Sequence, residues 1–238
     1  RVSAGLAVAL LGVSSLACGP ADSDRSGQAV GPSPSPWVQT AWGVRDDRTV
    51  APSVPDGLVP ADEAAGASAL EVDADRPFRI RFELEWGEAD PVPPGEEARF
   101  RLQVRRNGGG WEDVLARDFP YPDEISTPRV SVVRAPVFEN GAPSADLLDG
   151  SDTPFVGGAG VALDSVTAPG AVEVGVSGPA HTEWEWPVVV RLYADGAVAN
   201  AAGDTFEFRM VDGAGRPVSA PVGEVALVRL AVPRGLLG

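Results

Sequence analysis

One cysteine, one histidine and no lysine occur among the 238 residues, and each scarcity closes a route. Cys18 has no second sulfur to join, which excludes an intramolecular disulfide, a multi-cysteine zinc site and a CxxC redox pair. Any hydrolytic Ser-His-Asp or Cys-His arrangement would have to use His181 or that same cysteine. With lysine missing, all 19 basic residues are arginine against 34 acids, giving a formal charge of -15 and a pI near 4.4. Such a chain repels phosphate backbones, so nucleic acid is not an expected partner. No apolar run reaches the about 20 residues of a permanent membrane span. A phosphate loop is missing too: Gly157-Gly158-Ala159-Gly160 is not followed by Lys and Ser/Thr, and it reads as a flexible turn. Phe78-Arg79-Ile80-Arg81-Phe82 and Phe100-Arg101-Leu102-Gln103-Val104 are alike, but their flanks do not recur at a fixed interval, so no internal repeat is assigned.

The amino-terminal residues have the layout of an export signal. Arg1 precedes the apolar Leu6-Ala7-Val8-Ala9-Leu10-Leu11-Gly12-Val13, and small residues follow up to Cys18. Because Arg1 is not an initiator methionine, the basic end is expected to extend further upstream. Ser14-Ser15-Leu16-Ala17-Cys18-Gly19 resembles the lipobox of bacterial lipoproteins, with Ser15 and Leu16 exchanged relative to the usual order. That resemblance implies cleavage before Cys18, acylation of its thiol and a lipid anchor in a membrane. Residues 1–17 are then a signal peptide. Residues 18–36, ending in alternating Ser-Pro, form a solvated, partly extended linker, and 37–238 form the folded domain, with two packed sub-domains as the alternative.

Hydrophobic residues make up 44% of the chain, while 28 glycines and 23 prolines are dispersed between apolar runs, which suits a globular β domain with many turns. Alternation is clearest in Phe78–Trp86. It places Phe78, Ile80, Phe82, Leu84 and Trp86 on a buried face and Arg79, Arg81, Glu83 and Glu85 in water. Phe100–Arg105 repeats the period and runs through Asn107-Gly108-Gly109-Gly110 into Trp111–Val114, a hairpin whose turn residues accept positive φ. Further strands are expected near 38–44, 129–133, 172–176, 183–193, 205–211 and 224–232. Only 60–70 suggests a helix, weakened by Gly66. The expectation is an all-β, antiparallel sandwich of about nine strands. FRIRFELEWG, FRLQVRRNGGGWEDV, HTEWEWPVVVRL and DTFEFRMVDGAGRPV together resemble the immunoglobulin-like or fibronectin-like modules of exported bacterial surface proteins, with a jelly-roll-like sandwich as the other form. The resemblance implies an adhesive, scaffolding or envelope role by analogy of fold.

Chemistry is sparse. His181 precedes a strand and is expected to face solvent in a turn. Glu183 and Glu185 flank Trp184 on one strand face, roughly 7 Å apart by strand rise. Neighbours on one strand face a substrate poorly from opposite sides, so a solvated face opposite Trp184, Trp186, Val188 and Val190 is expected. The acidic Asp146–Asp152 segment offers oxygens suited to a structural calcium ion, with solvated turns as the default. Among the tryptophans, Trp86, Trp184, Trp186 and Trp111 are expected in the core, leaving Trp37 and Trp42 as an exposed pair on which a sugar could stack. No catalytic, cofactor-binding or metal-ligating residue is assigned; the one assigned site is lipid attachment at Cys18. The leading expectation is a non-enzymatic surface lipoprotein that meets protein partners or its own copies. An extracellular carbohydrate-binding module comes second and a hydrolase with a carboxylate site third.

Overall fold

The structure, a computed structural model, describes residues 35–46, 51–55, 57–60, 70–86, 100–116, 129–161, 179–194, 197–198, 200–220 and 226–231. The expected signal segment, Cys18, most of the expected linker, the 60–70 helix expectation beyond its end residues and the strand expected at 172–176 lie outside them. Fifteen strands are present among the described residues. In chain order they are β1 (Trp37–Asp46), β2 (Val59–Pro60), β3 (Leu70–Asp73), β4 (Phe78–Trp86), β5 (Phe100–Arg106), β6 (Glu112–Asp113), β7 (Leu115–Ala116) and β8 (Val130–Val132). There follow β9 (Ala142–Pro143), β10 (Ala159–Gly160), β11 (His181–Val190), β12 (Tyr193–Ala194), β13 (Ala197–Val198), β14 (Thr205–Asp212) and β15 (Ala226–Ala231).

The protein is all-β among the described residues, built on two principal sheets. An eight-stranded sheet runs β2-β1-β4-β11-β10-β9 with β8 and β7 attached through β11, and a five-stranded sheet runs β3-β15-β14-β5-β6. Both are mixed rather than purely antiparallel, because β10 lies parallel to β11, β7 to β8 and β3 to β15. The count exceeds the nine expected because two- and three-residue strands carry too few residues to show a period. Apart from 172–176, each expected strand has a counterpart. The hairpin is formed as well, with Asn107 (φ 49°) and Gly108 (φ 70°) both left-handed at the turn between β5 and β6.

Side chains from both sheets meet in one apolar cluster. Phe78, Ile80, Phe82, Leu84 and Trp86 of β4 face it, as do Trp184, Trp186, Val188 and Val190 of β11, opposite Phe100, Leu102, Phe206, Phe208, Met210 and Val228. Edge-on aromatic contacts cross between the sheets, with Phe100 at 5.4 Å from Trp37 and 5.1 Å from Trp184.

Trp37 and Trp42, expected in solvent, are both core residues. Their separation of five would put them on opposite faces of a regular strand. The pairing of β1 with β4 shifts between Gln39 and Ala41, and this bulge at Thr40 restores both indoles to the inner face. Trp111 departs in the other direction, because the hairpin lays it on the outer face of the five-stranded sheet, where it is half-buried. Of the six tryptophans it alone reaches solvent appreciably.

Candidate functional site

Arg79, Arg81, Glu83, Glu183 and Glu185, all expected in water, are completely buried, and Arg45 nearly so. The alternation places them as expected on the face of the eight-stranded sheet away from the core. That face is covered by the protein's own chain. Between β8 and β10 the chain leaves one edge of β11, crosses over the sheet and returns, contributing Ala145, Leu147, Leu148, Gly150 and Ser151 to the cover; residues 51–54 close it from another side.

Within this layer the charges are matched. Glu185 accepts a two-pronged pair from Arg45, through Nε at 2.8 Å and Nη2 at 2.6 Å. It also meets Nη1 of Arg79 at 2.8 Å and of Arg81 at 2.6 Å. Arg81 turns its Nε to Glu183 and donates to the carbonyls of Pro52 and Ala145. The other oxygen of Glu183 accepts the backbone N–H groups of Leu147 and Leu148 at 2.7 and 2.8 Å. Glu83 accepts the Thr40 hydroxyl at 2.5 Å and the Gly150 N–H at 3.2 Å, and Glu85 accepts the Ser151 hydroxyl at 2.8 Å. Burial pushes the Glu83 and Glu183 carboxyls above the usual range, against the hydrogen bonds and, for Glu183, the Arg81 charge that pull them down.

Two glycines permit the cover to come so close. A Cβ at Gly158 would lie 1.9 Å from the Glu183 carbonyl oxygen, and one at Gly150 would lie 2.6 Å from the Ala41 side chain and 2.7 Å from Glu83. The Gly157–Gly160 stretch is therefore no free turn. It delivers β10 to β11 in parallel register, and Ser144 Oγ adds a 2.7 Å bond to the Glu183 carbonyl.

His181 is 2% exposed, not a solvent-facing residue, because it opens β11 instead of preceding it and packs under the Asp146–Thr153 segment. Its Nδ1 lies 2.7 Å from the Thr153 carbonyl and its Nε2 3.1 Å from Asp146 Oδ1. Of the acidic segment, only Asp146 joins a group of possible metal ligands among the described residues, together with Glu83 and His181. Glu183 and Glu185 share a face as the sequence suggested, but guanidinium groups and loop amides occupy them, and neither is presented to a substrate.

The outer face of the five-stranded sheet is open. Trp111 lies against Arg209 (4.1 Å from guanidinium carbon to ring centre) and Arg105 (4.8 Å). Arg209 donates twice to Gln103 Oε1, while Arg105 pairs with Glu207 and Arg101 with Asp113. Thr40, Arg45, Ser151 and Thr153 carried no sequence signal as partners of the buried acids. The equal numbers of arginine and glutamate on the polar face of Phe78–Trp86, with two more glutamates on β11, were a usable hint of charge matching. No family model matches the chain, and no curated protein is similar to it.

Proposed function

We propose that this is an exported lipoprotein, anchored through Cys18, whose immunoglobulin-like or jelly-roll-like sandwich serves as a non-enzymatic structural or interaction module at the cell surface. The observation that carries the reading is the sealed charge layer. The groups best suited to chemistry are spent on holding a loop to a sheet, an arrangement that favours a fixed shape over an accessible reaction site. Partners of this module are envelope proteins or further copies of the chain, joined by strand addition at a sheet edge such as β3. The test is intact mass and light scattering on protein taken from its native membrane. A mass beginning at Cys18 with added acyl chains, in a multimer, is the expected result; an unlipidated monomer beginning elsewhere overturns the proposal.

A second reading, a carbohydrate-binding module, is favoured by Trp111. A half-buried indole on the outer face of the smaller sheet, with two arginines beside it, offers an aromatic surface and polar donors of the kind that a pyranose ring meets. A glycan screen in which Trp111→Ala abolishes a hit seen with the unaltered protein would establish it.

A further inference from the structure

Glu83 differs from its neighbours in the sealed layer. Glu185 faces three arginines and Glu183 one, whereas Glu83, equally buried, accepts the Thr40 hydroxyl and the Gly150 N–H and pairs with no arginine among the described residues. On its open side stand His181 and Asp146, and one ligand atom from each of the three residues lies within 4.8 Å of the others.

The histidine makes this more than a group of acids. A carbonyl oxygen can only accept, so the 2.7 Å contact with Thr153 puts a proton on Nδ1. The ring's other nitrogen, Nε2, faces Asp146 Oδ1 at 3.1 Å. Nε2 and the carboxylates of Asp146 and Glu83 are thus gathered at one point of the layer. A carbonyl-anchored imidazole with its other nitrogen aimed at carboxylates is the outer-partner arrangement that orients metal-bound histidines. The Thr40 and Gly150 bonds would orient Glu83 in the same way.

We propose that Glu83, Asp146 and His181 bind a divalent transition-metal ion of the zinc type. One imidazole nitrogen with two carboxylates suits zinc better than calcium, which prefers six to eight oxygens. Bonds of about 2.0–2.2 Å would draw the three ligand atoms closer together than the 4.8 Å within which they now lie. Asp146, with its side chain 52% exposed, gives the group its access to solvent. The ion ties the Asp146–Ser151 cover to β4 and β11, a role independent of whether the protein is exported or what it meets at the surface.

Zinc ion itself is the probe, titrated into chelator-stripped full-length protein carrying Cys18→Ser so that the thiol cannot compete. The expected result is one zinc per chain, with slowed amide exchange at Leu147, Leu148 and Gly150. Since His181 is the sole histidine, its ¹⁵N signals report directly: Nδ1 keeps its proton while Nε2 shifts on metal binding. Asp146→Asn, a change at a half-exposed side chain that leaves the stripped protein folded, weakens zinc binding by more than the about 10–100-fold that losing an outer partner costs. Absence of stoichiometric binding, unchanged affinity in Asp146→Asn, or an imidazole protonated on both nitrogens and unmoved by zinc would each overturn the proposal. In the last case a proton, not a metal, joins His181 to Asp146.

Discussion

β4 and β5 begin with nearly the same pattern, Phe-Arg-Ile-Arg-Phe in one and Phe-Arg-Leu-Gln-Val in the other, yet their polar faces live in different solvents. Arg79 and Arg81 of β4 are 0% exposed, while the Arg101 side chain of β5 is 47% exposed. Alternation fixes which face meets the core in both strands, and in both it does so correctly. Whether the opposite face is wet depends on what else the chain lays over it. A loop crosses the first sheet, and nothing among the described residues covers Arg101 on the second.

The sharpest way to break this comparison is to remove one arginine from each face. Arg81→Ala leaves Glu183 and Glu185 buried beside a missing partner and should cost about 3–5 kcal/mol in denaturant unfolding. A cost near that of a surface pair would mean that the cover opens and water enters. Next in size is Gly158→Ala, whose new methyl must displace the Glu183 backbone. Overpacking of this kind is expected to cost about 1–3 kcal/mol, read in the same unfolding assay.

The pH dependence of the two regions should differ in sign. Glu183 has its carboxyl raised by burial, so its contribution favours folding below the ordinary glutamate range and fades as pH climbs through the raised value. Asp204, just ahead of β14 in the other sheet, is pushed up by burial, but the Ala201 N–H, the Asn107 amide and Arg106 outweigh this and leave it lowered. Its contribution is present above the ordinary aspartate range and is lost as pH falls through the lowered value. Across those windows, rising pH should move stability toward Glu183→Gln relative to the unaltered protein, and away from Asp204→Asn. Parallel shifts for the two variants would contradict the contrast. The smallest effect belongs to Arg101→Ala, which gives up one solvent-screened pair with Asp113 and should change unfolding stability by no more than about 0.5 kcal/mol.

Much of this was legible in the residues. The alternating strands, the Asn107-Gly108 hairpin and the core faces of β4 and β11 follow from side-chain periodicity and local φ preferences, which neighbours in sequence decide among themselves. The candidate site was not. Glu83, Asp146 and His181 come from three separate stretches, and the Thr153 carbonyl that sets the histidine's proton carries no sequence signal. Trp37 and Trp42 were misplaced because one bulge residue reverses parity, and a bulge is a property of two paired strands. Trp111 was misplaced because the hairpin aims it at the outer face.

The sequence by itself therefore determined an all-β chain, its longer strands and the side of each that turns inward, since these depend on alternation along the backbone. Only the tertiary structure decided that the charged side of the larger sheet is dry, that its acids are matched to arginines and loop amides, and that the lone histidine faces two carboxylates. Those outcomes depend on segments far apart in the chain meeting across a sheet, where removal of water makes each unpaired charge costly enough to dictate its partner.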